Sequence, residues 1–218
     1  DLTLQNIQAR VRAPSVWMIA NLQRGLLLAT SDRSEAAVGY ATMDGDTAGG
    51  LAPIAGIDKP FLRQWLRWLQ EVGPTGLQPI PALAAVTEQD PTPELRPPHA
   101  RQTAEADLMP YEVLDAIEQL AIGDKKAPLE VYRLLRSRFE SHGADQVADG
   151  VERFFRLFAR NQWKRERYAP SFHVDDLNLD PKTWFRFPIL SGGYERELEE
   201  LRRAVEAEQS MRATVEPS

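Results

Sequence analysis

Residues 29–59, Ala-Thr-Ser-Asp-Arg-Ser-Glu-Ala-Ala-Val-Gly-Tyr-Ala-Thr-Met-Asp-Gly-Asp-Thr-Ala-Gly-Gly-Leu-Ala-Pro-Ile-Ala-Gly-Ile-Asp-Lys, decide how the rest of the chain is read. The apolar run Leu26-Leu27-Leu28 leads into them and reads as a buried strand over 25–29. A polar turn follows, Thr30-Ser31-Asp32, in which Ser31 or Asp32 can cap a helix beginning near Arg33. Glu35 then falls in the first helical turn, where a carboxylate complements the helix dipole without any functional reason. Residues 43–50 hold three glycines and two aspartates in eight positions. Backbone of that kind can approach a ligand closely, although most such turns are only turns. Asp58 can cap another helix with Pro60 in its first turn, and Lys59 stands at its start. A cation there is unfavoured unless an anion is close, and a phosphate is such an anion. Strand end, helix start and glycine turn together predict an α/β fold with a nucleotide site at the carboxyl end of a buried strand.

Outward from this stretch, residues 3–12 read as a helix with Leu4, Ile7 and Val11 on one face. Pro14 interrupts it, and Ser15 can cap a second piece over 16–22. Residues 59–71 form an amphipathic pattern expected to bury Phe61, Leu62, Trp65, Leu66 and Leu69, with Trp68 beside them. Core packing or a subunit interface outweighs aromatic stacking on a ligand as the reason for those tryptophans. Residues 72–105 are dense in proline and read as a long irregular excursion. Three helical patterns follow, over 110–122, 129–139 and 146–163, the last with Val147, Val151, Phe154, Phe155 and Phe158 inward. Residues 194–209 read as a charged helix with a Glu199/Arg203 pair, exposed or lying on a neighbouring subunit. His99, His142 and His173 share no metal-ligand spacing.

A chain of 218 residues with 43% apolar content suits one domain with one core. The net charge of −6 argues against nucleic acid and membrane surfaces as partners, so any phosphate ligand must be met by a few local cations. With no cysteine, a thiol nucleophile, a disulfide framework and a cysteine metal site are excluded. There is neither an apolar run of membrane-spanning length nor a signal peptide, and a cytoplasmic location is expected. The sequence starts at Asp1, as a processed, trimmed or partial product would.

In order and spacing, the Thr30 turn, Ser34-Glu35, Gly45-Asp46-Thr-Ala-Gly49-Gly50 and Lys59 resemble the synthetase domain of NAD synthetase, in particular its glutamine-dependent form. The resemblance implies that Thr30 and Lys59 contact ATP, Lys59 at its phosphates, and that Glu35 serves Mg²⁺ or deamido-NAD. It places Asp46 near the nicotinate end of deamido-NAD and makes Lys59 and Asp46 the catalytic candidates. Asn6 and Arg10 match a helical pair that contacts deamido-NAD; taken alone, Arg10 reads as a surface charge. Asp90-Pro-Thr-Pro-Glu-Leu resembles the family's Pro-Thr-Ala-Glu-Leu segment, which makes Thr92 an ATP contact. Gln102-Thr103-Ala104-Glu105 resembles a Gln-Thr-Asp-Glu run with Ala104 in place of Asp. Trp163-Lys164-Arg165 matches a short basic motif that reaches back to deamido-NAD, although cations at a helix C-terminus need no function to explain them.

The implied fold is an adenine-nucleotide α-hydrolase-like, Rossmann-like parallel sheet, partial here, with a helix-rich C-terminal portion. Residues 1–190 would be a synthetase domain lacking its N-terminal phosphate-loop segment, and 191–218 a charged helical tail. Ser191-Gly192-Gly193 imitates that phosphate loop, but Glu195 and Arg196 stand where Asp and Ser belong, and Pro188 breaks the preceding segment. The implied reaction adenylates the deamido-NAD carboxylate with ATP, and ammonia then displaces AMP to give NAD⁺. Glutamine would supply the ammonia through a separate amidase domain, and the family assembles as homo-oligomers. On this reading the 218 residues are the C-terminal portion of a larger enzyme and are inactive without the upstream segment. Another ATP-pyrophosphatase amidotransferase, or a non-catalytic paralogue acting as an interaction module, are the competing readings.

Overall fold

The computed structural model describes residues 2–89 and 108–215, so Thr92 and the 102–107 run lie outside the described residues. The helices are α1 (Leu2–Gln23), α2 (Arg33–Val38), α3 (Lys59–Glu71), α4 (Ala84–Thr87), α5 (Tyr111–Glu118), α6 (Pro128–Arg138), α7 (Ala144–Arg160), α8 (Gln162–Arg165) and α9 (Glu195–Val215). A single π-type turn, Gln119–Gly123, carries α5 onward to α6.

The core forms around α7. Its apolar residues recur at spacings of three and four, so Val147, Val151, Phe154, Phe155 and Phe158 share one face and are all buried. Val113, Leu114 and Ile117 of α5 and Val131, Tyr132 and Leu135 of α6 close on that face. Phe154 lies 5.6 Å from Phe158 in a stacked pair, and Phe155 meets Tyr194 edge-on at 4.8 Å. The charged tail joins the same core: α9 buries Leu198 and Leu201 there and turns its many charges outward.

The expected parallel sheet is not found among the described residues. Among the described residues the extended backbone makes two isolated parallel bridges, Leu28 with Leu51 and Ala52 with Ser171, and no strand. The hydrogen bonds are good where they exist: Gly50 N–H donates to Leu27 O at 2.8 Å, Ala29 N–H to Leu51 O at 2.8 Å, and Ala52 N–H to Pro170 O at 2.9 Å. Neither pairing extends, because Pro53 has no N–H to donate and turns begin at once on either side. The Leu26-Leu27-Leu28 run is correspondingly not buried, with Leu26 and Leu28 exposed.

Two helices differ from the sequence expectation. Pro14 does not end the first helix; α1 runs through it as one 22-residue element. Among its described side chains only Ala9 is buried, seated so closely on Gly45 that a Cβ there would stand 2.9 Å from Ala9 Cβ. The apolar stripe of α3 is not buried either, and Phe61, Trp65 and Trp68 stay 56%, 39% and 40% exposed. Ser191-Gly192-Gly193 forms an exposed turn ahead of α9, in which Ser191 Oγ accepts from Gly193 N–H at 3.1 Å.

Candidate functional site

The short helix α2 is fixed at both ends by polar groups. Asp32 is its N-cap: Asp32 Oδ1 accepts from Glu35 N–H at 2.9 Å and Glu35 Oε2 accepts from Asp32 N–H at 3.4 Å, a reciprocal capping box. Gly39 closes the other end in the left-handed conformation, φ +67°, where the side chain of Asn161 fills the space a Cβ would need. Asp58 caps α3 in the same way, accepting from Phe61 N–H at 2.7 Å, and Ser34 Oγ accepts from Lys59 N–H at 3.1 Å. The two helix starts are thereby brought side by side.

Lys59 then reaches back across them. Its ammonium pairs with the buried Asp32 carboxylate and donates to Glu35 Oε1 at 2.8 Å. Burial works against the charged lysine, but the two carboxylates outweigh it and hold Lys59 above its ordinary pKa. Burial raises the Asp32 carboxyl, and burial together with the Asp32 charge raises Glu35, each opposed by Lys59. One cation is thus held between two carboxylates at two helix N-termini, whose dipoles favour the negative charge.

Behind this triad lies a second, deeper ion cluster. Arg33, 1% exposed, reaches Asp58 at 3.0 Å, Asp175 at 3.2 Å and Glu118 at 3.3 Å, and donates to Gly56 O at 3.0 Å. Glu118 is fully buried and is pushed up to about 8 by that burial, with Arg33 opposing. The cluster joins α2, the cap of α3, α5 and the 171–180 segment through one guanidinium.

Asp46 sits in the glycine turn, accepting from Thr42 N–H at 2.7 Å and pairing with Arg12 of α1 at 3.3 Å. Arg10 Nε donates to Met43 O at 3.1 Å, and half-buried Asn6 lies one helical turn before it. Thr30 is exposed at the end of the short extended segment. Lys164 donates to Gly39 O at 2.7 Å and Ala41 O at 2.9 Å, and burial lowers its pKa. Arg165 is buried, donating to Ala37 O at 2.8 Å and stacking 4.2 Å over Phe158; burial brings it down to about 10, so it stays charged at neutrality. Both cations thus serve the carbonyl end of α2, where they complement its dipole. Glu35 and Lys59 meet directly, Arg10 reaches the backbone of the turn that carries Asp46 without touching that carboxylate, and Lys164 and Arg165 meet at the far end of α2.

A groove of about 650 Å³ separates α1 from the glycine turn, lined by Arg10, Trp17, Thr47, Gly49, Arg167 and Tyr168 among others. The sequence reading did not assign Asp32, Arg33 or Tyr168 to a site. The capping role of Asp32 was visible, but its pairing with Lys59, and the Arg33 contacts up to 142 positions away, follow from tertiary packing. Among the described residues no group of three or more His, Cys, Asp or Glu is placed to hold a metal, and no helix is long and apolar enough to cross a membrane.

Comparison with known proteins bears on this arrangement. The family model for NAD synthase matches residues 1–167. Glutamine-dependent NAD(+) synthetases from Xanthomonas campestris and Aquifex aeolicus are 35% and 36% identical over 88% and 87% of this chain, covering 31% and 30% of their own lengths. A crystal structure of a glutamine-dependent NAD(+) synthetase from Cytophaga hutchinsonii is 46% identical, with a TM-score of 0.71 over 92% of this chain and 30% of that one. The chain therefore spans about three tenths of the length of these relatives. With paired helix starts around Lys59 and a family match covering residues 1–167, the chain belongs to the NAD synthase family.

Proposed function

We propose that this chain takes part in ATP-dependent amidation of deamido-NAD to NAD⁺, with ammonia delivered from glutamine by an amidase domain; the relatives it matches are named glutamine-dependent NAD(+) synthetases. The observation that carries the reading is the Lys59 ammonium held between Asp32 and Glu35 where two helices begin. A fixed cation where two helices begin suits a polyphosphate. Lys59 would exchange its carboxylate partners for phosphate oxygens and offset the charge that builds as pyrophosphate leaves. Glu35 would hold Mg²⁺ on this reading, and when bound the ion would screen the phosphate charge. Asp46 and Arg10, fixed by the glycine turn, would orient the dinucleotide at the groove, with Asn6 beside them. The protein's task on this reading is alignment and charge compensation, and no side chain acts as a nucleophile.

Calorimetry of the intact polypeptide that carries these residues, titrated with ATP·Mg²⁺ and with deamido-NAD, tests the reading. Binding of both, and NAD⁺ formation when ammonium is added, is the expected result. Binding of neither ligand would overturn it in favour of a non-catalytic relative.

A further inference from the structure

Asp32, Ser34 and Glu35 all hold Lys59, but not by the same part. The two carboxylates take its ammonium, whereas Ser34 Oγ accepts from its backbone N–H at 3.1 Å. Ser34 is 1% exposed and sits in the first turn of α2. A serine near a helix start commonly turns its hydroxyl on its own helix, capping it or bonding a carbonyl one turn earlier. Here Asp32 already caps α2, and Ser34 reaches across to α3. The first N–H groups of a helix have no partner within it. In α3 the Asp58 side chain satisfies that of Phe61, and Ser34 satisfies that of Lys59. Arg33 grips the approach from the same turn, its N–H donating to Ile57 O at 2.9 Å and its guanidinium to Gly56 O at 3.0 Å. Residues 56–58 are thus fixed by Arg33, and the root of the lysine by Ser34.

We propose that Ser34 is a positioning residue for Lys59: its hydroxyl pins the lysine backbone to α2, so that the ammonium stays at the two helix starts when phosphate oxygens replace its carboxylate partners. This rests on the function proposed above, in which Lys59 meets the phosphates of ATP. In the free protein the lysine is held at both ends, backbone to Ser34 and ammonium to Asp32 and Glu35. Exchanging carboxylates for phosphate releases the far end only. The four-carbon stem of a lysine is flexible, so the place of its ammonium then depends on where the stem is rooted. Ser34 does not touch the ligand in this scheme and acts through Lys59.

Ser34→Ala removes only the hydroxyl, and a double-mutant cycle with Lys59→Ala in the intact polypeptide that carries these residues tests the link. With Lys59 present, Ser34→Ala is expected to lower kcat/KM for ATP by about 3- to 10-fold, the worth of one hydrogen bond, with a native circular dichroism spectrum. With Lys59 replaced by alanine, the same change should have no further effect, because the ammonium that Ser34 positions is gone. An equal loss in both backgrounds overturns the assignment and shows that Ser34 serves the fold alone. A loss for Lys59→Ala without one for Ser34→Ala removes Ser34 from the site and leaves the proposed function standing. If Lys59→Ala itself leaves kcat/KM unchanged, the role proposed for Lys59 fails, and this inference with it.

Discussion

Around α7 the side chains that meet are Phe154, Phe155, Phe158, Leu114, Ile117, Leu135, Leu198 and Leu201; around α2 they are Arg33, Asp32, Asp58, Glu118, Lys59 and Arg165. The first region is held by apolar area removed from water, which is non-directional and tolerates some rearrangement. The second is held by buried ions, whose desolvation cost is recovered only while every partner stays in place. The helices α1 and α3 bury little apolar surface of their own. Directional contacts thus gather in one region, while the bulk of the packing stability comes from the other.

The largest effect is expected in the apolar region. Phe154→Ala should destabilise the fold by about 3–5 kcal/mol, through lost burial and the cavity left behind, and urea unfolding would measure it. A change below 1 kcal/mol would mean that α7 is not the centre of the core.

In the ionic region the next effect should appear in ligand handling. Lys59→Ala is expected to lower kcat/KM for ATP by about 10²-fold with a native circular dichroism spectrum. Equal loss of fold and activity would make Lys59 a structural ion in the manner of Arg33.

A further effect separates the two regions by pH. Glu118 titrates higher in the folded protein than its ordinary value of 4.5, so between 4.5 and about 8 the folded state binds more protons than the unfolded one. Its contribution to stability is therefore greatest at low pH and is lost as pH rises through that window, by at most about 1.4 kcal/mol per unit. Glu118→Gln, which cannot ionise, should gain stability relative to wild type as pH increases from 5 to 8. A difference that stays constant with pH would show Glu118 charged throughout.

The smallest effect is expected on α1. Ile19 is 55% exposed, so Ile19→Ser should change stability by no more than about 0.5 kcal/mol. A loss of 2 kcal/mol would show that this face is covered in solution and that the contrast between the regions is smaller than drawn.

How far the sequence could be read differs between these regions for a physical reason. The three- and four-residue spacing of Val147, Val151, Phe154, Phe155 and Phe158 is a local signal of a buried helical face, and the face is buried. The same spacing in α3 was equally clear, yet Phe61, Trp65 and Trp68 remain exposed, because periodicity marks a face without supplying what covers it. The Leu26-Leu27-Leu28 run suggested a buried strand; strand propensity depends on neighbours, and Pro53 cuts its pairing to a single bridge.

What the sequence alone determined are the features written within a few residues: a cap at Ser31 or Asp32 and one at Asp58, the glycine turn around Asp46, Lys59 at a helix start, and the ordered motifs that mark the family. Only the tertiary structure decided which charges meet. Lys59 finds Asp32 and Glu35 across a separation of more than twenty residues, Arg33 gathers carboxylates from three other segments, and Lys164 and Arg165 turn to the carbonyl end of α2. Caps and periodic faces depend on neighbours along the chain, whereas a buried ion is paid for by partners that folding alone brings within reach.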